Sequence, residues 1–292
     1  IGRIMDRTVY LNGAWVAEGD AKVSVFDRGF LFADAIYEVT AIIHGKLVDY
    51  PGHLARLKRS LDALGIAMPV AEAELLDLHK EIARRNGIED GLIYLQVSRG
   101  VQDRDFVFPE AMEPTFVMFT QTKKVLDNPK WKTGLSVKTV PEGRWSDRQI
   151  KTVQLLYSSL RKTEANRQGY DDVLFVENGH ITEASSANFH IVTQEGVLVT
   201  RDLSNALLHG ITRGSILHLA RQADLKVEER AFTPEEAKAA SEAFVTSATS
   251  FVTSVVKMDG DTIGNGEVGP ISRRLLDIYI REQLSTGIPI AG

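Results

Sequence analysis

A lysine that closes a short extended run just before a helix can point its amine into a cleft, and Arg148-Gln149-Ile150-Lys151-Thr152-Val153 has that pattern. Leu155, Leu156 and Leu160 follow at a spacing closer to a helix. Most lysines are solvated surface charges, so Lys151 gains meaning only from other groups. Glu183 is one of them. It interrupts an apolar strand pattern, and Ala184, Ser185 and Ser186 after it suit the close approach of a flat ligand. An exposed acid is the ordinary alternative. Arg56 stands at the edge of an apolar helical stripe, where it either lies along the helix with its head in water or reaches over the rim to hold an anion. Gly210-Ile211-Thr212-Arg213 opens a helix whose orphan amides and positive dipole end make an anion site, with the Thr212 hydroxyl added. A plain cap is the alternative for Thr212. The hydroxyl cluster Thr246-Ser247-Ala248-Thr249-Ser250 either faces the same anion or is a turn.

The elements that must position these groups read as follows. Val9 to Leu11, Asn12-Gly13 and Ala14 to Val16 form a hairpin signal, because Asn-Gly takes the positive backbone angles of a tight turn. A second hairpin is expected at Ala41 to Val48 around His44-Gly45. Between them, Asp27 to Val39 mixes charges and glycine with aromatics, too polar for plain core and too apolar for a plain loop. Pro51-Gly52 opens a helix with Leu54, Leu57, Leu61 and Leu64 in step and Gly65 placed to end it. A second helix runs from Ala73 to Arg85, with Leu75, Leu76, His79 and Ile82 on one side. Strands are expected at Leu92 to Arg99 and Thr115 to Gln121, joined through the charged loop from Gly100 to Pro109. Asn128-Pro129 punctuates the chain. Beyond it come strands at Leu135 to Val140, Asp172 to Val176 and Ile181 to Val192, and helices at Thr152 to Gln168 and from Gly210 onward.

Length and composition set bounds. The 292 residues suffice for two domains, divided as 1–124, a linker 125–131 and 132–292. Hydrophobic residues at 43% and charged residues at 25% describe an ordinary folded protein. A net charge of -5 gives no reason to expect nucleic acid. The chain has no cysteine, which removes disulfides, thiolate metal sites and cysteine nucleophiles and fits a reducing compartment. Ile1 to Asp6 lacks the apolar core of a signal peptide, and no apolar run approaches bilayer length, so a cytoplasmic protein is expected. Gly264-Asn265-Gly266-Glu267-Val268-Gly269 matches a dinucleotide-binding glycine pattern, but turn residues precede it where a buried strand is needed. Zinc-type histidine spacing, the serine-hydrolase elbow and the P-loop pattern do not occur.

Taken in order, these segments resemble the fold type IV pyridoxal-phosphate enzymes, most closely the D-amino acid transaminases. The likeness is carried by Asp27-Arg28-Gly29 with Asp34, Tyr37-Glu38-Val39, His53 with Arg56-Leu57, Tyr94 through Arg99-Gly100 and Ile150-Lys151. It continues through Thr182 to Asn188, Gly210 to Arg213 and Val245-Thr246-Ser247. The resemblance implies an α/β fold with a small N-terminal domain and a larger C-terminal pseudo-barrel domain, the cofactor pyridoxal 5'-phosphate (PLP) between them, and a homodimer. It assigns Lys151 as the Schiff-base lysine and proton shuttle, and Glu183 as the carboxylate that keeps the pyridine nitrogen protonated. Arg56, Ile211, Thr212, Ser247, Ala248 and Thr249 would bind the phosphate, with Ser185, Ser186 and Leu208 also on the cofactor.

The substrate carboxylate would be held by Tyr37 together with Arg104, the latter from a loop of a neighbouring copy. A histidine expected two residues after Arg104 is replaced by Phe106, which offers no hydrogen bond. The reaction implied is transfer of the amino group of a D-amino acid, of D-alanine or D-glutamate type, to a 2-keto acid. Phe106 could instead make room for an apolar group, as an (R)-selective amine transaminase needs. Branched-chain L-amino acid transamination, aminodeoxychorismate lyase activity and a non-catalytic phosphate-ligand binding protein are the further alternatives.

Overall fold

The computed structural model describes residues 7–291, so the expectation drawn from Ile1 to Asp6 lies outside the described residues. The chain forms two compact units. The first holds the described residues up to Leu126, together with Ile150–Gln154 and the end of the chain from Thr286; the second holds Asp127–Gln149 and Leu155–Ser285.

In the first unit, β1 (Thr8–Leu11) and β2 (Ala14–Ala17) pair across Asn12-Gly13, whose φ values of 46° and 87° are those the tight turn requires. After the short helix α1 (Arg28–Phe32), β3 (Ala35–Ile43) turns through His44-Gly45 into β4 (Lys46–Leu47). Helices α2 (Tyr50–Leu64) and α3 (Glu72–Arg85) follow, then β5 (Gly91–Ser98) and β6 (Thr115–Thr122). With the terminal β16 (Ile288–Pro289), these strands make a seven-stranded sheet in the order β16-β4-β3-β5-β6-β1-β2. The helices bury Leu57, Leu61, Leu75, Leu78 and Ile82 against Ile36, Ile93, Leu95 and Met118 of the sheet. Gly65 ends α2 in the left-handed conformation, and its amide bonds back into the last turn. In α3, Leu78 is buried with Leu75, His79 and Ile82, and Leu76 packs half-buried against the same core.

In the second unit the elements, in order, are α4 (Lys130–Thr133), β7 (Leu135–Pro141), α5 (Leu156–Arg167), β8 (Asp172–Glu177), β9 (His180–Ala184), β10 (Asn188–Val192) and β11 (Leu198–Thr200). There follow α6 (Ile211–Gln222), β12 (Val227–Glu229), α7 (Pro234–Lys238), β13 (Glu242–Ser247), β14 (Phe251–Met258), β15 (Asp261–Thr262) and α8 (Pro270–Thr286). The strands form one sheet in the order β12-β11-β10-β13-β14-β7-β8-β9, with β15 beside β14. Its last strand, β9, runs on into β10 near its other end, with Ala184 N donating to Ala187 O at 2.8 Å, and so the sheet curls. Phe189, Ile191, Val199, Val245 and Phe232 fill its interior.

Two expectations are corrected. The helix expected from Thr152 starts only at Leu156, because the backbone of 150–153 is committed to pairing with β3. Leu155, Leu156 and Leu160 are exposed, Leu156 at 73%, so the stripe is not part of the core among the described residues. The strand expected over Ile181 to Val192 is two strands, broken at Ser185 to Ala187. The rejected glycine motif follows the two-residue β15 in a turn that leads into α8. Among the described residues, no helix is long and apolar enough to cross a membrane.

Candidate active site

Ile150 to Val153 lies along the start of β3. Tyr37 N donates to Lys151 O at 3.0 Å, Val153 N donates to Ala35 O at 3.1 Å, and Thr152 bridges Ile36. Lys151 N donates in turn to Ser60 Oγ of α2 at 3.3 Å. Three hydrogen bonds therefore hold the backbone of 151–153 while the lysine side chain stays half-buried. Its Nζ rests 4.2 Å from the centroid of the Tyr37 ring. Tyr37 stacks on Tyr94, and Tyr94 on Phe119, so the surface under the amine is a rigid aromatic row.

Successive residues of a strand point to opposite faces, and Glu38 accordingly turns away from Tyr37 into the helices. Arg56 donates through Nε and Nη2 to Glu38 Oε1 and Oε2 at 2.7 and 2.8 Å, and His53 Nδ1 lies 2.7 Å from Oε2. All three side chains are buried. Burial alone would raise the Glu38 carboxyl, but the Arg56 charge and the two hydrogen-bonding partners hold it well below the usual carboxylate range. Arg56 thus does not lie along its helix with its head in water. Glu38 takes two of its five N–H donors and fixes the plane of the guanidinium.

In the second unit, Glu183 is fully enclosed on β9. Arg144 Nη1 donates to its Oε1 at 2.7 Å, the Leu208 amide reaches both oxygens at 3.1 and 3.2 Å, and Asn188 Nδ2 donates to Oε2 at 3.1 Å. Arg144 also binds Glu142 through Nε and Nη2, and Arg148 joins Glu177 at 2.7 Å and approaches Glu142 at 3.8 Å. Burial raises the Glu183 carboxyl above the ordinary carboxylate value, opposed by Arg144 and the Leu208 amide. The array holds three carboxylates (Glu142, Glu177, Glu183) and two guanidiniums (Arg144, Arg148), an excess of one negative charge. A protonated ring nitrogen against Glu183 would offset it. The residues present therefore fit a pyridine cofactor on this side.

The start of α6 has Gly210 in the cap position with no side-chain cap, so the first-turn amides at Ile211 and Thr212 are free of that competitor. A Cβ on Gly210 would stand 2.0 Å from Asn188 Oδ1, which is how the helix start seats against β10. Thr212 is buried and Ile211 half-buried. Ser185 Oγ is buried without a hydrogen-bond partner in the structure, a group left for a bound molecule, whereas Ser186 is exposed. Ser247 Oγ meets Ser250 Oγ at 2.7 Å and Thr249 Oγ1 at 3.4 Å in a half-buried turn that includes Ala248. Asn188, Arg144 and the charges behind them were not singled out from sequence. Arg144 and Asn188 meet Glu183 across the fold, and nothing local to either in sequence marks that pairing.

Arg104 and Phe106 are exposed, in the loop between β5 and β6. The Arg104 guanidinium carbon lies 5.5 Å from the Phe32 ring centroid and 5.6 Å from that of Phe106.

The amino-transferase class IV family matches residues 35–258 of this chain. The D-alanine aminotransferase of Staphylococcus aureus (strain N315) is 36% identical over 270 residues, covering 91% of this chain and 94% of that protein. The D-alanine aminotransferase of Bacillus licheniformis is 33% identical over 267 residues, with 91% and 94% covered. Among solved structures, a T.th. branched-chain amino acid aminotransferase complexed with N-(5'-phosphopyridoxyl)-L-glutamate superposes with a TM-score of 0.89 at 25% identity, covering 99% of this chain and 100% of that one. With Lys151, Glu183 and the start of α6 all inside the matched span, the chain belongs to the class IV aminotransferase family and has the fold type IV architecture.

Proposed function

We propose that this protein is a PLP-dependent aminotransferase that removes the amino group of a D-amino acid, of D-alanine or D-glutamate type, and delivers it to a 2-keto acid in a second stage. The observation that carries the reading is the Lys151 amine, set on a backbone held by three hydrogen bonds and lying against the Tyr37 ring. No carboxylate among the described residues lies within ion-pairing distance of it, whereas a structural lysine would be paired or fully solvated. The two D-alanine aminotransferases support the choice of donor.

When bound, PLP supplies an electron sink for the pair left at the substrate's alpha carbon. Lys151 holds the cofactor covalently and, once released as an amine, moves the proton at that carbon. Glu183, whose protonation Arg144 opposes, would hold the proton on the ring nitrogen. The amides of Ile211 and Thr212, the Thr212 hydroxyl, the turn from Ser247 to Thr249 and Arg56 bind the phosphate, with Ser185, Ser186 and the Leu208 segment on the ring's side. Tyr37 and Arg104 orient the substrate carboxylate. Exposed apolar side chains gather on two segments that pair with each other, Val25, Phe26 and Phe30 with Val101, Phe106, Val107 and Phe108, which favours a homodimer covering them. A cytoplasmic location accords with the cysteine-free composition.

A second reading, an (R)-selective amine transaminase, is favoured by Phe106 alone. The two separate in a donor panel: D-alanine should change the cofactor absorbance of the loaded protein far faster than (R)-1-phenylethylamine does, while L-leucine leaves it. A response to L-leucine alone would refute the stereochemistry. Borohydride treatment should fix the cofactor on Lys151, and an unmodified Lys151 peptide after reduction would refute the whole reading.

A further inference from the structure

Phe106 is the place where this chain departs from the family pattern it otherwise follows, and its surroundings suggest what it does. Three arginines and three phenylalanines alternate through the first unit. Arg99 lies 3.7 Å from the Phe108 centroid, Arg28 lies 5.0 Å from Phe108 and 4.5 Å from Phe32, and Arg104 lies 5.5 Å from Phe32 and 5.6 Å from Phe106. Phe32 and Phe106 meet edge to face at 5.6 Å and 63°, forming a corner around the Arg104 guanidinium. The first two arginines are buried and share Asp34, at 2.7 to 3.1 Å. Arg104 differs: among the described residues it has no carboxylate within ion-pairing distance, whereas the other two share one.

The corner is rigid on both sides. Phe32 belongs to α1, capped by Asp27 and tied down through Arg28. Arg28 Nη1 donates to Asp105 O at 2.6 Å, Val107 N to Asp105 Oδ1 at 3.1 Å and Gln102 Nε2 to Val107 O at 3.0 Å, closing the loop that carries Phe106. Cation–π contact engages the faces of a guanidinium and leaves its in-plane N–H groups for a carboxylate. A guanidinium already held loses less freedom when it grips one.

We propose that Phe106 and Phe32 form an aromatic platform that fixes the Arg104 guanidinium for the substrate carboxylate, making Phe106 a positioning residue for that grip. This rests on the reading of Arg104 as the carboxylate clamp. The test uses the cofactor-loaded enzyme and the variants Phe106→Leu, Phe106→Tyr and Arg104→Ala, each checked for unchanged thermal unfolding. KM and kcat are measured for D-alanine and for (R)-1-phenylethylamine, and the dissociation constant of propanoate, which has the carboxylate without the amine, is measured by calorimetry. Phe106→Leu should raise KM for D-alanine and the propanoate constant roughly three- to tenfold with kcat within about twofold, and leave KM for the amine unchanged. Phe106→Tyr should keep wild-type values. If Arg104→Ala weakens propanoate but Phe106→Leu does not, the platform is refuted and the clamp stands. If Arg104→Ala leaves propanoate unchanged, the clamp reading fails and the platform with it. An equal rise for the amine in Phe106→Leu would mean general loop damage and also overturns the proposal.

Discussion

Acid should loosen the helical layer that holds Arg56, and His79 sets the pH at which it does. His79 is buried in α3, its Nδ1 is 2.7 Å from Leu75 O, and the Tyr50 ring meets its own ring edge to face at 5.0 Å. Burial lowers its pKa from 6.5 to about 4, with the Leu75 carbonyl opposing. The folded protein therefore keeps the imidazole neutral while the unfolded chain takes up a proton near 6.5, so this stabilisation is complete above 6.5 and is lost as pH falls toward 4. The gap of about 2.5 pH units corresponds to about 3 kcal/mol in the limit, of which about 2 kcal/mol is gone at pH 5. His79→Asn places an amide donor where Nδ1 stands and removes the titration. Hydrogen exchange of the α3 amides, corrected for intrinsic rate and followed from pH 8 to 5, should show the wild type losing about 2 kcal/mol of protection more than the variant. Parallel loss in both proteins would refute the assignment.

Glu38→Gln leaves Arg56 buried without its countercharge and should cost about 3 kcal/mol in urea unfolding at pH 7. Because the Glu38 pKa is held below its ordinary value of 4.5, the wild-type contribution stands above 4.5 and is lost only as pH falls through the lower folded value, so below pH 5 it should outlast that of His79. Gly210→Ala drives a methyl into Asn188 Oδ1 and should cost about 2 kcal/mol of stability while weakening cofactor binding, measured by equilibrium dialysis. Arg144→Gln removes the charge that opposes protonation of Glu183, so the acid limb of the kcat profile should move to higher pH; an unmoved limb would show that Arg144 does not oppose that protonation.

Much of the frame was legible because it is local. Asn12-Gly13, His44-Gly45 and Gly65 each demand a backbone conformation that few residues tolerate, and the structure uses each as a turn or stop. What was not legible is non-local. Glu38 and Arg56 lie 18 positions apart, Arg144 and Glu183 lie 39 apart, and no periodicity connects either pair. Ile150 and Lys151 were readable as extended, but Thr152 to Gln154 read as helix and none of the segment as a return to the first unit, since strand pairing depends on a partner distant in sequence. The leucines at 155, 156 and 160 show the opposite error: an apolar stripe states that a face is to be covered, not by what.

The beginning of β3 gathers the first unit's whole contribution. Asp34, just before it, anchors Arg28 and Arg99 and through them the aromatic corner around Arg104. Tyr37 faces the Lys151 amine, and Glu38, on the opposite face, orients Arg56. The three proposed roles, carboxylate grip by Arg104, amine placement at Lys151 and phosphate contact by Arg56, would thus depend on the register of five consecutive residues against β5, where Tyr37 pairs with Gln96 and Glu38 with Leu95. A slip of one residue would exchange the faces of Tyr37 and Glu38 and dismantle all three at once. The long, fully paired β3–β5 ladder from Ala35 to Ile42 resists that slip, which is a physical reason for the longest of the described strands to carry the site at its first residues.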